Sequence, residues 1–379
     1  MSAKNKGMRI AVILPSLAGG GMERMRLHLI DEWMREGIKI DLVVSVCTGD
    51  LRGQVPAGVE VFEVAARHPM YFPIGLASYL KKRQPTHILA AGPDVNAITL
   101  LVAGVLARKT PVTVSFHNHI SSELQFASGI SAIKGQATVC ALRYLIKDCT
   151  RVVAISHGVA EDLRKHFPSE RTKITVIYNP VVTRHFRDGL RAVPDTDIDL
   201  DGIPWLIYVG RLTHSKGIDV LITAFGEVSR KSNAHLVVMG SGPYKSVLKE
   251  IKEKNGFGHR IHVYDYQKNP LPYIRGASVL VLPSRHEGLA NVIIEALACG
   301  TQVVATDCPA GPSEILEGGK FGQLVPVGDS SALSDAILRS LNQEFWVDPE
   351  KLQQRGLSFS SKRAANQYLS VLTGRRIEG

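Results

Sequence analysis

The chain has 379 residues, 45% hydrophobic and 21% charged, with a formal net charge of +10. That is enough for two cores of ordinary domain size, with no polar run to suggest a disordered tail. Five cysteines, an odd number with no C-x-x-C pair, point to buried thiols rather than to a disulfide framework or a zinc site.

The charge is uneven. Residues 1–190 hold 24 Lys+Arg against 15 Asp+Glu, while residues 191–379 hold 21 against 20. A basic first half suggests that this half faces something anionic, either nucleic acid or an anionic lipid surface; solubility alone would also account for it. The most apolar stretch, Asn96 to Ala107, is too short to span a membrane as a helix. The start, KNKGMRIAVILPSLAGG, imitates a signal peptide, but Pro15 interrupts it and a helical pattern follows directly, so a first strand and a glycine turn are expected.

Short β-branched runs then alternate with helical patterns. MRIAVIL, IKIDLVVSV, VEVFEVA, HILAAG, VTVSFH, RVVAIS and ITVIY form one series; WLIYVG, HLVVMG, RIHVYDY, SVLVLPS, QVVAT and QLVPV form a second. Such runs suit parallel strands buried on both faces, which predicts an α/β chain of two Rossmann-like, doubly wound parallel-sheet domains. Residues 183–204 lack periodicity and are rich in Asp, Gly and Pro, so the boundary is placed there, giving domains 1–182 and 183–357. Asp197, Asp199, Asp201 and Gly202 imitate half a calcium loop, but the twelfth position is Tyr208 instead of Glu, and the stretch reads as an acidic linker.

In open parallel sheets, ligands sit beyond the carboxyl ends of strands, and five such ends are informative. SLAGGGMER (16–24) is a glycine turn before a helix, suited to phosphate through Gly20 and Gly21, although Arg24 breaks the dinucleotide pattern. VSFHNHI places His117 at a strand end. VGRLTHSKGID places Arg211 and Lys216 after a strand and before a helix, apt for a diphosphate. MGSGPYKSVL holds Gly240 in a second glycine turn, which again lacks the third dinucleotide glycine. HEGLANVIIEALACG offers two carboxylates, Glu287 and Glu295. Glu287 is delivered by a strand, and Glu295 is expected early in a helix, where the dipole favours its charge. The N–H groups around Ala290–Val292 are expected to bind an anion. Hydroxyl acceptors beside phosphate donors match a sugar joined to a nucleotide.

E-x7-E after a strand, followed by A-C-G-T-x-V-V-A-T, resembles the retaining glycosyltransferases of family 4, as does G-R-L-x-x-x-K-G about seventy residues earlier. The Gly19–Gly21 turn, His117-Asn118, AIS at 154–156 and YNP at 178–180 match in order, so the resemblance spans essentially the whole chain. DCPAGPSEIL (307–316) resembles bacterial enzymes of lipid-linked oligosaccharide, exopolysaccharide or lipopolysaccharide synthesis. The resemblance implies a GT-B fold, two domains facing across a cleft, with the acceptor domain first, the donor domain second, and helix 358–379 returning to the first.

It also implies a metal-independent, cofactor-free, retaining transfer of a hexose-type sugar from a nucleoside diphosphate sugar to a glycan or lipid-linked acceptor. UDP is favoured over GDP, with GDP-mannose the alternative. Carried onto this chain, Arg211 and Lys216 bind the diphosphate and Glu295 the ribose. Glu287 contacts the sugar, and backbone N–H groups of Gly288, Leu289, Ala290, Asn291 and Val292 contact phosphate or sugar. Gly240 lies among the donor-binding residues, Gly20 and Gly21 approach the donor from the other domain, and His117 orients the transferred sugar. His117, Glu287, Arg211 and Lys216 form the expected catalytic set.

The implied place is cytoplasmic, peripheral on the inner membrane face. Residues 124–147, LQFASGISAIKGQATVCALRYLIK, are apolar and basic with no acid, and are expected to help seat the chain on an anionic leaflet. Other readings are a non-catalytic nucleotide- or glycan-binding protein and a sugar-nucleotide epimerase. Two failed glycine fingerprints argue against an NAD-dependent oxidoreductase. With 6% aromatics and no dedicated motif, a nucleic-acid partner is not expected.

Overall fold

A computed structural model describes residues 7–65, 68–192, 202–254 and 256–374. The chain divides into two compact units: residues 1–181 with 361–379, and residues 182–360.

Unit 1 runs β1 (Arg9–Ser16), α1 (Gly21–Arg35), β2 (Lys39–Val46), β3 (Glu60–Glu63), α2 (Phe72–Arg83), β4 (His87–Ala91), α3 (Pro93–Leu106), β5 (Val112–Phe116), α4 (Ile120–Phe126), α5 (Gly129–Leu145), β6 (Arg151–Ala154), α6 (His157–His166) and β7 (Ile174–Val176). Unit 2 runs α7 (Phe186–Arg191), β8 (Trp205–Val209), α8 (Ile218–Lys231), β9 (His235–Met239), α9 (Tyr244–Lys254), β10 (Ile261–Tyr264), α10 (Leu271–Gly276), β11 (Val279–Leu282), α11 (Asn291–Cys299), β12 (Gln302–Thr306), α12 (Pro312–Ile315), β13 (Gln323–Val325), α13 (Ser330–Leu341) and α14 (Pro349–Leu357). The last helix, α15 (Ser361–Thr373), returns to unit 1.

Both sheets are parallel. Their orders are β3-β2-β1-β4-β5-β6-β7 and β10-β9-β8-β11-β12-β13. In each, the chain starts in the middle, builds one way for three strands, then jumps back and builds the other way. The reversal leaves a crevice between β1 and β4 in unit 1 and between β8 and β11 in unit 2, outside the carboxyl ends of the strands. Right-handed crossovers put α2, α3 and α5 on one face of the first sheet and α1 on the other. Against α1 lies α15: Trp33 and Tyr368 meet edge to face at 6.3 Å, and the Trp33 indole N–H donates to the Ala365 carbonyl at 3.1 Å.

Two expectations change. The units divide at Val181/Val182 and at Ser360/Ser361, because Val182 pairs in parallel with Ser360 and its N–H donates to the Phe359 carbonyl, tying both ends of unit 2 together. The linker is not all loop: it contains α7, held against unit 2 by the Asn269 amide donating to the Gly189 carbonyl at 2.9 Å. Its acidic stretch, Asp197 to Asp201, lies outside the described residues. The segment 124–147 forms the end of α4 and the whole of α5, separated by extended Ala127 and Ser128. Among the described residues, no helix is long and apolar enough to cross a membrane.

Candidate functional site

The loops after β8 and β11 flank the crevice of unit 2, and the structure fastens them to each other. After β8 the chain turns through Gly210 and exposed Arg211 into a short 3-10 turn, His214–Lys216, which ends at Gly217 with φ +67°. A Cβ at Gly217 would lie 2.0 Å from the Pro283 carbonyl oxygen, so only glycine lets the two loops approach this closely. Lys216 Nζ then donates to Glu287 Oε1 at 2.6 Å, and the Ser284 hydroxyl donates to the same oxygen at 2.7 Å. Arg285 grips Asp219 with two hydrogen bonds, of 2.8 and 2.6 Å, and also donates to the His214 carbonyl at 2.7 Å. That fork holds the Asp219 carboxyl below its usual range. Ser284, Arg285 and Asp219 were not singled out in the sequence, because their roles depend on which loops meet.

Lys216 and Glu287 are therefore partners as well as candidate ligand contacts. Their side chains are largely buried, 18% and 10% exposed, so the pair is more than a surface ion pair. Lysine carries three N–H donors and a carboxylate has a second oxygen, so both keep capacity for phosphate or hydroxyls.

The helix expected after this loop is α11, closed by Gly300. No side chain caps its N-terminus. The N-cap, Ala290, sits at φ +67°, ψ +63°, a left-handed conformation that costs a non-glycine residue roughly 1–2 kcal/mol. The strain sets the angle at which Asn291 and Val292 open the helix. Glu295, expected early in the helix, is the fifth of nine helical residues and lies beyond the first turn, where the helix dipole would favour its charge. It is half-buried. Gly240 also changes meaning: a Cβ there would fall 1.8 Å from the Gly210 carbonyl oxygen, so its bareness serves the approach of its own chain after β8.

In unit 1, His117 follows β5 beside the crevice. Arg26 of α1 is 1% exposed, and among the described residues it forms no ion pair. Its Nη2 donates to Ser115 Oγ at 2.6 Å and to His117 Nε2 at 2.7 Å. The Ser115 hydroxyl gives its own proton to the Ala90 carbonyl at 2.8 Å, so it accepts from Arg26. A guanidinium can only donate, hence His117 Nε2 is an acceptor, the ring is neutral, and Nδ1 carries the proton. Burial and the Arg26 charge push the His117 pKa well below its ordinary value. Arg26 also lies 4.8 Å from the ring centroid of Tyr368. The sequence does hold a signal for it: Arg26, Leu29, Ile30 and Trp33 share the i, i+3, i+4, i+7 stripe of α1, placing a cation at a core position.

Gly20 and Gly21 are the N-cap and first residue of α1. Glu23, in that first turn, bends its carboxylate back until a Cβ at Gly20 would lie 2.2 Å from it. This end of the helix thus already carries an acid, and the expectation of bare N–H groups awaiting phosphate is corrected. Burial raises the Glu23 pKa. The segment after His117 is anchored by Asp162 of α6, which accepts from Ser121 N at 3.1 Å and Ser121 Oγ at 2.5 Å.

Two family models match the chain, one on each unit: "Glycosyltransferase Family 4" over residues 19–185 and "Glycosyl transferases group 1" over residues 203–343. The chain thus carries a family 4 glycosyltransferase domain followed by a group 1 glycosyltransferase domain. Its fold is GT-B: it is similar to Anabaena HepE, solved in complex with UDP-glucose, with a TM-score of 0.80 and 16% identity over 97% of this chain and 100% of that one. Over 94% of its length it is 25% identical to the lipopolysaccharide core biosynthesis glycosyltransferase LpsE of Rhizobium meliloti, covering 96% of that protein. It is 40% identical to the uncharacterized glycosyltransferase MJ1059 of Methanocaldococcus jannaschii over 186 residues, 47% of this chain and 45% of that protein. The chain thus spans about half the length of that relative.

Proposed function

We propose that this chain is a retaining, metal-independent glycosyltransferase. It moves a hexose-type sugar from a nucleoside diphosphate sugar, UDP-linked, to a glycan or lipid-linked acceptor in cell-surface polysaccharide or glycolipid synthesis. Its place is cytoplasmic, peripheral on the inner membrane face. The observation that carries the reading is the cluster at the crevice of unit 2, where Lys216, Glu287 and Ser284 converge beside Arg211 and the start of α11. Cations and helix N–H groups suit the charge that develops on a leaving diphosphate; carboxylate oxygens suit sugar and ribose hydroxyls. In this reading Arg211 and Lys216 hold the diphosphate, Glu287 and the backbone of 288–292 the sugar and its phosphate, and Glu295 the ribose. Neutral His117 presents Nδ1–H to a hydroxyl of the transferred sugar, and the 19–21 turn approaches the donor.

UDP is preferred over GDP through the likeness to HepE, a fold-level analogy. The lipopolysaccharide context rests on LpsE. The test incubates the full chain with chelator, UDP-sugars and GDP-mannose in turn, offers lipid-linked sugar acceptors, and reads the anomeric configuration of the product by NMR. Transfer from a UDP-sugar with the donor's α configuration kept is the expected result. Transfer from GDP-mannose alone would move the donor to the alternative. Inverted product, a requirement for metal, or an epimerised donor without transfer would refute the reading, and so would binding without chemistry.

A further inference from the structure

Large hydrophobic side chains are exposed very unevenly. Among the described residues, eleven of sixteen lie in unit 1, and ten of those fall between residues 70 and 144. Seven of those ten lie on α2, α3 and α5. Helix α3 is the middle of the three, with α2 and α5 each packed against it, and all three cover the face of the first sheet opposite α1 and α15.

On α5 the pattern is a stripe. Ile130 (86% exposed), Ile133 (72%) and Tyr144 (76%) recur at helical spacing, with exposed Ala137 and Ala141 between them. An amphipathic helix normally turns such a stripe to the core; here it turns to solvent. Leu101 and Val105 (66%) stand one turn apart on the outside of α3, and Ile74 (67%) on the outside of α2. A face this apolar on three adjoining helices marks an interaction surface.

The charges around it choose the occupant. Residues 68–150 hold eight Lys+Arg and three Asp+Glu. One of those acids, Asp94, is engaged by Lys134 at 2.6 Å and by the Thr138 hydroxyl at 2.7 Å. Lys81 and Lys82 lie in the last turn of α2, Arg108 and Lys109 follow α3, Arg143 lies in the last turn of α5 and Lys147 just after it, all exposed. A second copy of the chain would bring the same excess of positive charge against itself. An anionic lipid surface is complementary to both features, taking the aliphatic side chains at the acyl boundary and the cations at the headgroups.

We propose that the outer face of α2, α3 and α5 is a docking surface for an anionic lipid bilayer. This deepens the proposed peripheral location and rests on that reading for its purpose, delivery to a lipid-linked acceptor. Its test reads binding without sugar transfer, so a protein that floats with lipid but transfers nothing separates the two.

The full chain is floated at low salt with vesicles of phosphatidylglycerol and phosphatidylcholine in equal parts, and with phosphatidylcholine alone. The same is done for Ile130→Asp/Ile133→Asp and for Lys109→Glu/Arg143→Glu. All four positions are exposed, and circular dichroism checks the fold. The wild type is expected to float with the anionic vesicles and to be released by salt, with each double variant partitioning about tenfold less. A wild type that stays unbound would overturn the proposal, as would two variants that bind like it. A wild-type dimer that Ile130→Asp/Ile133→Asp converts to monomer, with lipid binding unchanged, would reassign the face to self-association.

Discussion

In unit 2, Lys216 reaches Glu287 and Arg285 grips Asp219; in unit 1, Arg26 lies buried, forms no ion pair among the described residues, and directs its protons to Ser115 and His117. Both arrangements sit beside a point where strand order reverses, but charge does different work in each. The pairs of unit 2 fasten two loops and hold cations ready in a half-solvated crevice. The buried Arg26 of unit 1 keeps a histidine neutral and fixes its tautomer. A buried charge without a counter-charge is costly, and such departures from ordinary core chemistry concentrate at functional sites.

The largest effect expected from breaking this contrast is on the unit 2 pair. Lys216→Ala removes a donor to the leaving diphosphate and leaves the Glu287 carboxylate without its cationic partner, held among the described residues by Ser284 alone, so kcat/KM should fall by about a hundredfold to a thousandfold. Steady-state kinetics against the best donor checks it; a fall under threefold would mean that Lys216 serves only to fasten the loops.

The shared core of α1 and α15 comes next. Tyr368→Ala should destabilise unit 1 by about 3 kcal/mol, visible as a lower midpoint in urea. UDP binding, assigned to unit 2, should survive below that midpoint. Loss of UDP binding in the still-folded variant would show that unit 1 governs the donor site.

Arg26→Met sharpens the comparison from the other side. It removes the donor that fixes the His117 tautomer, and kcat should fall about tenfold. ¹⁵N NMR of the imidazole should show Nδ1–H in the wild type and a mixture of tautomers in the variant. A wild-type ring protonated at Nε2 would contradict the hydrogen-bond assignment.

The smallest effect is the pH dependence from His117. Its folded pKa lies below the ordinary value of 6.5, so below that pH the unfolded chain binds more protons and stability falls as pH drops towards the folded value. His117→Asn should lose its share of that slope, seen by comparing urea midpoints above pH 6.5 and below it. Equal slopes in both proteins would mean that His117 titrates normally.

The sequence revealed much of this through local pattern. The strand runs, the two sheets and the loops carrying Arg211, Lys216 and Glu287 follow from β-branched runs and the residues that end them. What it could not reveal depends on distance. Lys216 and Glu287 are 71 positions apart, and nothing near either says that they touch. Arg26 was hidden differently: it reads as one more charge on an amphipathic helix until Trp33 and Ile30 show that its face is the buried one. The helix bounds 291–299 were legible, but Glu295 is the fifth residue of α11 and lies beyond the first turn, where the dipole acts. The apolar, basic segment 124–147 was visible, but not its break at Ala127–Ser128 nor its continuation over α2 and α3.

The most direct test of the central claim, that the crevice of unit 2 holds a nucleoside diphosphate, is calorimetric titration of UDP into the full chain in the presence of chelator. The account predicts saturable binding to one site, much weaker in Lys216→Ala. No heat with UDP or GDP, or tight binding of NAD(H) instead, would contradict it.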